Sequence, residues 1–199
     1  MEKAELASTG DSESQGSRES TVGPAEPEPD EPASTASSDP YDPDQACRID
    51  LSLLAEDCLP PLRGYVDRHL RRIAPLAGAT GGQVTVAVVD DDRMAELHEQ
   101  YRQTPGPTDV LTFDLHEGET DGRLEGDIVV CLDEAARQAG RRGHSVRDEC
   151  LLYAVHGLLH LLGYDDHDRD EADAMHARED ELLAAVGVGP VYHRGERPS

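Results

Sequence analysis

Hydrophobic and polar residues follow two different periods along residues 47–189. Short runs in which apolar residues alternate with polar ones, or form a β-branched block, predict four strands. Those strands are residues 47–54, 83–89, 109–115 and 124–132. Apolar residues at helical spacing predict five helices. Those helices are residues 62–76, 92–102 and 133–140, a stretch that begins at Ser145, and residues 168–186. Helices interleaved with short strands predict an α+β fold, in which about five helices pack on a small mixed sheet of about four strands.

The two ends of the chain differ from this patterned region. Residues 1–46 contain 12 Asp or Glu residues and six of the thirteen prolines, but only two basic residues, Lys3 and Arg18. A segment of this composition buries too little apolar surface to offset its ordering entropy, which predicts a disordered acidic tail. It has neither the basic start nor the apolar run of a signal peptide. We therefore expect one folded domain over residues 47–189 and a loose C-terminal tail over residues 190–199.

The net charge argues against a protein that binds polyanions through its whole surface. The formal charge is −24, of which −10 belongs to residues 1–46 and −14, from 30 acidic and 16 basic residues, to residues 47–199. Non-specific affinity for nucleic acid comes mostly from neutralised phosphates, so an RNA-binding role requires a local basic patch or a metal ion. Two groups of arginines are candidates for such a patch, and each is equally consistent with a solvated helix face. The groups are Arg68, Arg71 and Arg72, and Arg137, Arg141, Arg142 and Arg147.

Two further classes of protein are disfavoured by the composition. No run approaches 18 consecutive apolar residues, so no membrane-spanning helix is expected. The four cysteines, Cys47, Cys58, Cys131 and Cys150, do not form a Cys-x-x-Cys pattern. We interpret them as reduced thiols of a cytosolic protein rather than as zinc ligands.

Residues 150–167, CLLYAVHGLLHLLGYDDH, carry the strongest indication of chemistry. His156 and His160 are four residues apart, which on a helix places them on the same face, one turn apart. Two imidazoles at this spacing are typical of a metal site. Gly163 then breaks the helix and lets the chain turn back, so that a donor from residues 165–167 can reach the same ion. The alternative, two histidines buried in a core, accounts less well for a glycine turn followed by further donors.

This set of donors predicts hydrolysis. Catalytic zinc takes three protein ligands and leaves the fourth position for water. Activated water at an open position makes hydrolysis the default reaction. Zinc is preferred, although other divalent metals also accept imidazole and carboxylate ligands. Gly157 occupies the position at which His-Glu-x-x-His proteases carry their glutamate base, which argues against a peptidase.

A second polar cluster lies in residues 101–109, YRQTPGPTD, directly before a predicted strand. A strand-edge loop that contains an arginine, Arg102, and a Thr-Asp pair can face a phosphate group. From spacing alone, an ordinary helix-to-strand turn whose polar residues bond their own backbone is the favoured interpretation.

Taken together, these motifs resemble the YbeY family of bacterial rRNA maturation factors, which are metal-dependent single-strand endoribonucleases. HGLLHLLGYD at residues 156–165 is similar to the family's His-Gly-x-Leu-His-Leu-x-Gly-Tyr-Asp-His signature, and PTDVLTF at residues 107–113 to its Pro-Thr-Asp-Val-Leu-Ser-Phe. YR at residues 101–102 stands where the family carries its functional arginine, and GDIVVC at residues 126–131 resembles Gly-Asp-Ile-Val-Ile-Ser. Four motifs in the same order make the resemblance specific, and it covers most of residues 47–187.

The resemblance implies a zincin-like fold and a cytoplasmic enzyme that acts on ribosomal RNA, notably at the 3′ end of the small-subunit RNA, and in ribosome quality control. It implies single-stranded ribosomal RNA, the small ribosomal subunit and assembly factors as partners, with neither DNA nor a membrane. It makes His156 and His160 ligands of one Zn²⁺ ion, and Arg102 a catalytic or RNA-contacting residue.

The third ligand is where the chain departs from the family pattern. The family histidine directly follows Gly-Tyr-Asp, a position held here by Asp166, and His167 comes one residue later. The spacing onward to Glu171 and Met175 matches the family without a gap, which favours Asp166. The type of ligand favours His167, although carboxylate is also a good zinc ligand. We expect the residue that is not a ligand to hydrogen-bond the one that is.

The resulting hypothesis is hydrolysis of a phosphodiester by metal-activated water, with Arg102 steadying the phosphate charge through paired donors. The residues do not identify a general base, for which Asp109 and Asp165 are candidates. Two alternatives remain. One is a metallohydrolase of another substrate class, and the other is a metal-stabilised ribosome-assembly factor without intrinsic catalysis.

Overall fold

The computed structural model describes residues 49–54, 60–116, 118 and 121–192. They all belong to one unit of the chain, Pro40–Ser199. The predicted acidic tail over residues 1–46 lies outside the described residues, as do Cys47 and Cys58.

The described residues form four strands and five helices. The strands are β1 (Ile49–Leu54), β2 (Gly81–Val89), β3 (Val110–Asp114) and β4 (Arg123–Cys131). The helices are α1 (Pro60–Ala77), α2 (Asp91–Arg102), α3 (Leu132–Arg142), α4 (Val146–Leu161) and α5 (Arg169–Ala185). Each predicted element is present with boundaries within two residues of the expected ones, and the α+β prediction is confirmed.

The strands form one mixed sheet in the order β1-β2-β4-β3. β1 and β4 run parallel to β2 on either side of it, whereas β3 runs antiparallel to β4. In the register of that last pair, Thr112 lies opposite Ile128. β3 therefore forms an edge of the sheet, and residues near this edge line the site described below.

The two faces of the sheet belong to different hydrophobic clusters. Ile128 and Val130 of β4 lie in the main cluster with α4, whereas Val129 and Cys131 lie in a smaller cluster with Met94 of α2. Successive residues of a strand point to opposite faces, so α4 and α2 pack on opposite faces of the sheet. α4 is buried on most of its circumference, which is typical of a central helix.

Side-chain caps set the start of the two helices that lead into the site. The Asp90 carboxylate accepts the backbone N–H of Arg93 at 2.8 Å and so caps α2. The Ser145 hydroxyl accepts the backbone N–H of Asp148 at 3.2 Å at the start of α4. Among the described residues, no side chain caps the start of α3, and the Asp133 carboxylate in its first turn accepts the N–H of Asp91 at 2.9 Å, which ties α3 to α2.

Residues 190–192, where a loose tail is expected, pack against α5. Val191 is buried, and its backbone N–H donates to the Asp180 carboxylate at 2.7 Å. The backbone N–H of Tyr192 donates to the same oxygen at 2.9 Å. One carboxylate on α5 therefore fixes this segment, which composition alone does not reveal.

Several arginines of the two candidate basic groups have carboxylate partners. The pairs are Arg71–Asp67 at 3.0 Å, Arg137–Asp91 at 2.6 Å and Arg142–Glu149 at 3.4 Å. The hydrogen bonds from Arg137 lower the pKa of Asp91 from its ordinary value. These pairs leave less positive charge available than the arginine count suggests.

The described cysteines lie in the core, and the described helices bear on the expectation for the membrane. Cys131 and Cys150 are buried thiols, and burial raises the pKa of the Cys131 thiol to about 11. Among the described helices, none is both long and apolar enough to cross a membrane.

Candidate metal centre

The last two turns of α4 bring two imidazoles together. His156 and His160 lie four residues apart on the helix, and their Nε2 atoms are 3.0 Å from each other. The helix ends at Leu161, and Gly163 follows with φ of 86°, a left-handed conformation that glycine adopts at little cost. This turn redirects the chain over the open side of the two rings.

The redirected chain places Asp166 beside both histidines. Its Oδ2 lies 3.7 Å from His156 Nε2, and its Oδ1 lies 3.9 Å from His160 Nε2. Ligand atoms bound to one tetrahedral Zn²⁺ are about 3.3–3.5 Å apart, given bonds of about 2.0–2.2 Å. The three donors are therefore within a few tenths of an ångström of a ligand set, and one coordination position is left over for water or substrate.

His167 does not join this group. Its ring is 84% exposed, and its Nδ1 forms a short hydrogen bond with the Asp165 carboxylate. The hydrogen bond and the charge of Asp165 raise the pKa of His167. The expectation that His167 hydrogen-bonds Asp166 is wrong, since its partner is Asp165.

A buried carboxylate that the sequence analysis missed contacts the first histidine. The Glu179 Oε1 accepts a hydrogen bond from His156 Nδ1 at 2.7 Å, and its side chain is 1% exposed. Burial lowers the pKa of His156, but the hydrogen bond and charge of Glu179 outweigh that effect, so this pKa lies above its ordinary value. With Nδ1 as donor, the Nε2 atom is the one that faces His160 and Asp166.

The second histidine is oriented by the backbone. His160 Nδ1 donates to the carbonyl oxygen of Tyr164 at 3.1 Å, just beyond the glycine turn. Burial, followed by the neighbouring His156, lowers the pKa of His160 below its ordinary value. A neutral imidazole with Nδ1–H engaged presents its Nε2 lone pair, which is the form that binds a metal.

The three donors open into a cavity of about 860 Å³ that both predicted clusters share. Arg102, at the end of α2, lines the same cavity as His156, His160 and Asp166. The two motifs lie more than 50 residues apart in sequence and meet because α2 and α4 flank the same edge strand, β3. The arginine is thus positioned to contact a substrate that also reaches the three donors.

The two candidate bases also line this cavity, but each has a local partner. The Asp109 carboxylate accepts the Thr108 hydroxyl at 3.0 Å and the Val110 backbone N–H at 2.9 Å. Asp165 is bonded to His167. At Asp109, the interpretation of residues 101–109 as an ordinary helix-to-strand turn is therefore correct, because the Asp109 carboxylate bonds the backbone of the turn.

Gly157 has a steric role that explains why no glutamate stands there. A Cβ atom added at this position would lie 2.7 Å from Ile128 Cγ2 and 2.9 Å from Thr112 Oγ1. Real Cβ atoms essentially never approach so closely, so α4 packs on β3 and β4 at a distance that only glycine permits. The protease-type general base is excluded by the packing of this helix on the sheet.

Replacing Gly157 with alanine is expected to destabilise the fold. The forced side-chain shifts cost about 1–3 kcal/mol, which exceeds the roughly 0.5–1 kcal/mol that alanine gains over glycine in a helix. Urea denaturation should show a net loss of about 1 kcal/mol. Gly64 in α1 is the matched control, because its Cβ would meet nothing within 4 Å. Gly64→Ala should gain about 0.5–1 kcal/mol, and equal effects at both positions would contradict the packing argument.

The model of the Endoribonuclease YbeY family matches residues 63–187. The chain belongs to the YbeY family. The YbeY match includes all three donors and Arg102, and it ends before Tyr192. The chain is 43% identical to the Endoribonuclease YbeY of Thermobifida fusca over 136 residues, which cover 65% of this chain and 84% of that protein. It is 41% identical to that of Moorella thermoacetica over 137 residues, 64% of this chain and 88% of that protein.

A solved structure shows the same fold as this YbeY-family chain. The solution structure of a Thermotoga maritima protein superposes with a TM-score of 0.50 at 27% sequence identity. The superposition covers 68% of this chain and 91% of that protein.

Two residues of the site were not found from the sequence, Glu179 and His176. A signal for Glu179 was present, because it falls on the inward stripe of α5 with Met175, Leu182 and Leu183. A carboxylate on an otherwise apolar helical stripe requires a buried partner. The identity of that partner depends on how α5 packs against α4, and spacing does not give it.

Proposed function

We propose that the chain hydrolyses single-stranded ribosomal RNA, with one Zn²⁺ ion held by His156, His160 and Asp166 and with Arg102 as the phosphate-contacting residue. The proposal extends the metal-dependent endoribonuclease activity in rRNA processing that membership of the YbeY family gives the chain. Maturation of the 3′ end of the small-subunit RNA and ribosome quality control are its proposed roles. Its proposed partners are the small ribosomal subunit and assembly factors in the cytoplasm, and neither DNA nor a membrane is part of the proposal.

One observation carries this proposal: a His-His-Asp donor set and an arginine line the same cavity. The donor set suits Zn²⁺ with one position open. When bound there, a divalent ion supplies Lewis-acid chemistry that polarises a phosphodiester and lowers the pKa of water. The guanidinium of Arg102 offers planar paired donors, which match the geometry of two phosphate oxygens.

The charge around the site explains why both a cation and an arginine are needed. Asp109, Asp114, Asp165 and Asp166 all line the cavity, whereas Arg102 is the one arginine that lines it among the described residues. An acidic wall repels a phosphodiester unless positive charge is placed locally. Removing either the cation or Arg102 should therefore leave the phosphodiester repelled by the negative charge of these aspartates.

Removing and restoring the metal tests the proposal. Protein stripped with a chelator should lose cleavage of a labelled single-stranded RNA, and added Zn²⁺ should restore it. Duplex RNA of the same sequence, single-stranded DNA and casein serve as comparison substrates and should stay intact. Activity is expected only where an unpaired ribonucleotide strand and the ion are both present.

Two results would redirect this proposal. Cleavage of casein but not of RNA would indicate a metallohydrolase of another substrate class. Absence of cleavage with every divalent metal, together with a large fall in melting temperature on chelation, would indicate an assembly factor whose metal is structural. Melting curves of the stripped and loaded protein separate this second outcome from a simple loss of activity.

A further inference from the structure

We infer that Glu179, His176 and Tyr192 are positioning residues that hold the metal ligand His156, so that a segment beyond the last helix controls metal affinity. The inference rests on the proposed metal site. It adds residues that never touch the ion, one of which lies outside the part of the chain that the YbeY family model matches.

Glu179 is a buried carboxylate with two partners. Its side chain is 1% exposed, and an unpaired carboxylate at such a position would be strongly destabilising. Both of its oxygens have a partner. Oε1 accepts His156 Nδ1 at 2.7 Å, and Oε2 accepts His176 Nδ1 at 3.0 Å. The carboxylate is therefore held between two imidazoles from different helices, α4 and α5.

This bridge fixes His156 in two ways. Donation from Nδ1 selects the tautomer whose Nε2 lone pair is free for an ion. The hydrogen bond also restrains rotation of the ring, which sets the direction of that lone pair. A carboxylate in this role commonly strengthens metal binding, and its loss costs about 10–100-fold in affinity.

His176 supports the bridge from the other side. Its ring stacks with that of His156 at 6.1 Å between centroids and 23° between planes. On α5 it is three residues from Glu179, so the helix presents both side chains to α4 together. Its own side chain is 18% exposed.

Tyr192 packs against His176. Its ring stacks on His176 at 3.6 Å between centroids and 12° between planes. The guanidinium of Arg142 lies 5.2 Å from the centre of the Tyr192 ring, within the range of a cation–π contact. The backbone N–H groups of Val191 and Tyr192 both donate to the Asp180 carboxylate, which fixes the segment that carries the tyrosine.

The contacts thus form one continuous path from the chain segment after α5 to the metal centre. Asp180 anchors Tyr192, Tyr192 covers His176, and His176 shares the carboxylate that orients His156. Disturbing the far end should loosen the ligand without removing any atom from the donor set. Metal affinity is the direct readout of such loosening.

Four variants of the full-length chain test this inference by Zn²⁺ affinity, measured by competition with a chromophoric chelator. Glu179→Gln should weaken Zn²⁺ binding about 10–100-fold, and Tyr192→Leu by a smaller factor of about 3–10. Tyr192→Phe keeps the ring and should stay close to the unaltered protein. Glu181→Gln is the matched control, because that exposed glutamate lies on the same helix and pairs with Arg178 instead.

Absorption of bound Co²⁺ provides a second readout that a general loss of stability would not change. Glu179→Gln and Tyr192→Leu should alter the ligand-field bands, while Tyr192→Phe and Glu181→Gln leave them unchanged. Unaltered affinity and bands in both Glu179→Gln and Tyr192→Leu would overturn the inference, even if their melting temperatures fall. Failure of the unaltered protein to bind Zn²⁺ or Co²⁺ would instead sink the proposed metal site.

Discussion

Replacing Asp166 with alanine is expected to abolish metal-dependent cleavage of RNA, with a loss that exceeds the roughly 10–100-fold typical of removing an outer partner of a metal ligand. The reason is that Asp166 is one of the three proposed donors, with its carboxylate oxygens 3.7 and 3.9 Å from the two histidine Nε2 atoms. Two imidazoles alone leave the ion weakly held. Zn²⁺ affinity and single-turnover cleavage should fall together, while the far-ultraviolet circular dichroism stays unchanged because the side chain is 39% exposed and lies outside the core.

Two further variants decide between the neighbouring donors. His167→Ala should change affinity by about threefold or less, as expected for an exposed side chain outside the donor set. Asp166→His replaces the carboxylate with another zinc ligand at the position where the family pattern carries its histidine, and it should retain metal binding. If His167→Ala loses the metal and Asp166→Ala keeps it, the assignment of the third donor is reversed.

Replacing Arg102 with alanine should lower kcat/KM for single-stranded RNA by about 10²–10³-fold, the cost of removing one preorganised donor from a developing negative charge. Zn²⁺ affinity should not change, since Arg102 is not one of the three donors and its exposed side chain has no ion pair among the described residues. Arg102→Lys should recover only part of the activity, because an ammonium lacks the planar pair of donors. Single-turnover cleavage with a saturating metal concentration is the measurement.

The matched control for Arg102 lies on the same helix. Arg93 is exposed and paired with Glu96 at 2.8 Å, and it does not line the cavity. Arg93→Ala should therefore leave kcat/KM within about threefold. A loss of cleavage in Arg102→Ala that is accompanied by loss of Zn²⁺ would mean that the arginine supports the metal site instead of the phosphate. Equal losses in both variants would point to an effect of overall charge.

The positive charge that matters for function is local. The chain carries a net charge of −24, and several arginines outside the cavity are paired with carboxylates. Long-range attraction of RNA by the whole surface is therefore weak. In the proposed function, Arg102 and one divalent ion beside the edge strand provide this attraction at the point where a phosphodiester would react.

Much of the fold was predictable because it depends on neighbours in sequence. The period of apolar residues predicted the strands and helices of the described residues, and Ser145 was recognisable as the start of α4. The pairing of His156 with His160 was also local, since helix geometry alone places residues four apart on one face. The glycine at 163 made the turn that follows predictable as well.

What could not be predicted depends on how helices pack after they form. Spacing left Asp166 and His167 open as third donors, and the path of the chain after the turn brings Asp166 to the two rings. The partner of Asp133 lies 42 residues away, on another helix. Such contacts are set by packing over the whole domain. The same local sequence pattern is compatible with many tertiary arrangements, so it does not specify these contacts.

The sequence by itself determined the elements, the two-histidine motif and the family, because each is encoded within short stretches by spacing and residue type. Only the tertiary structure decided that the Glu179 carboxylate bonds both His156 and His176, and that Tyr192 stacks on His176. The physical reason is that a buried carboxylate requires a hydrogen-bonding partner, and that partner comes from another element of the folded chain. That partner is fixed when α5 and the residues after it pack onto the helix that carries the metal donors.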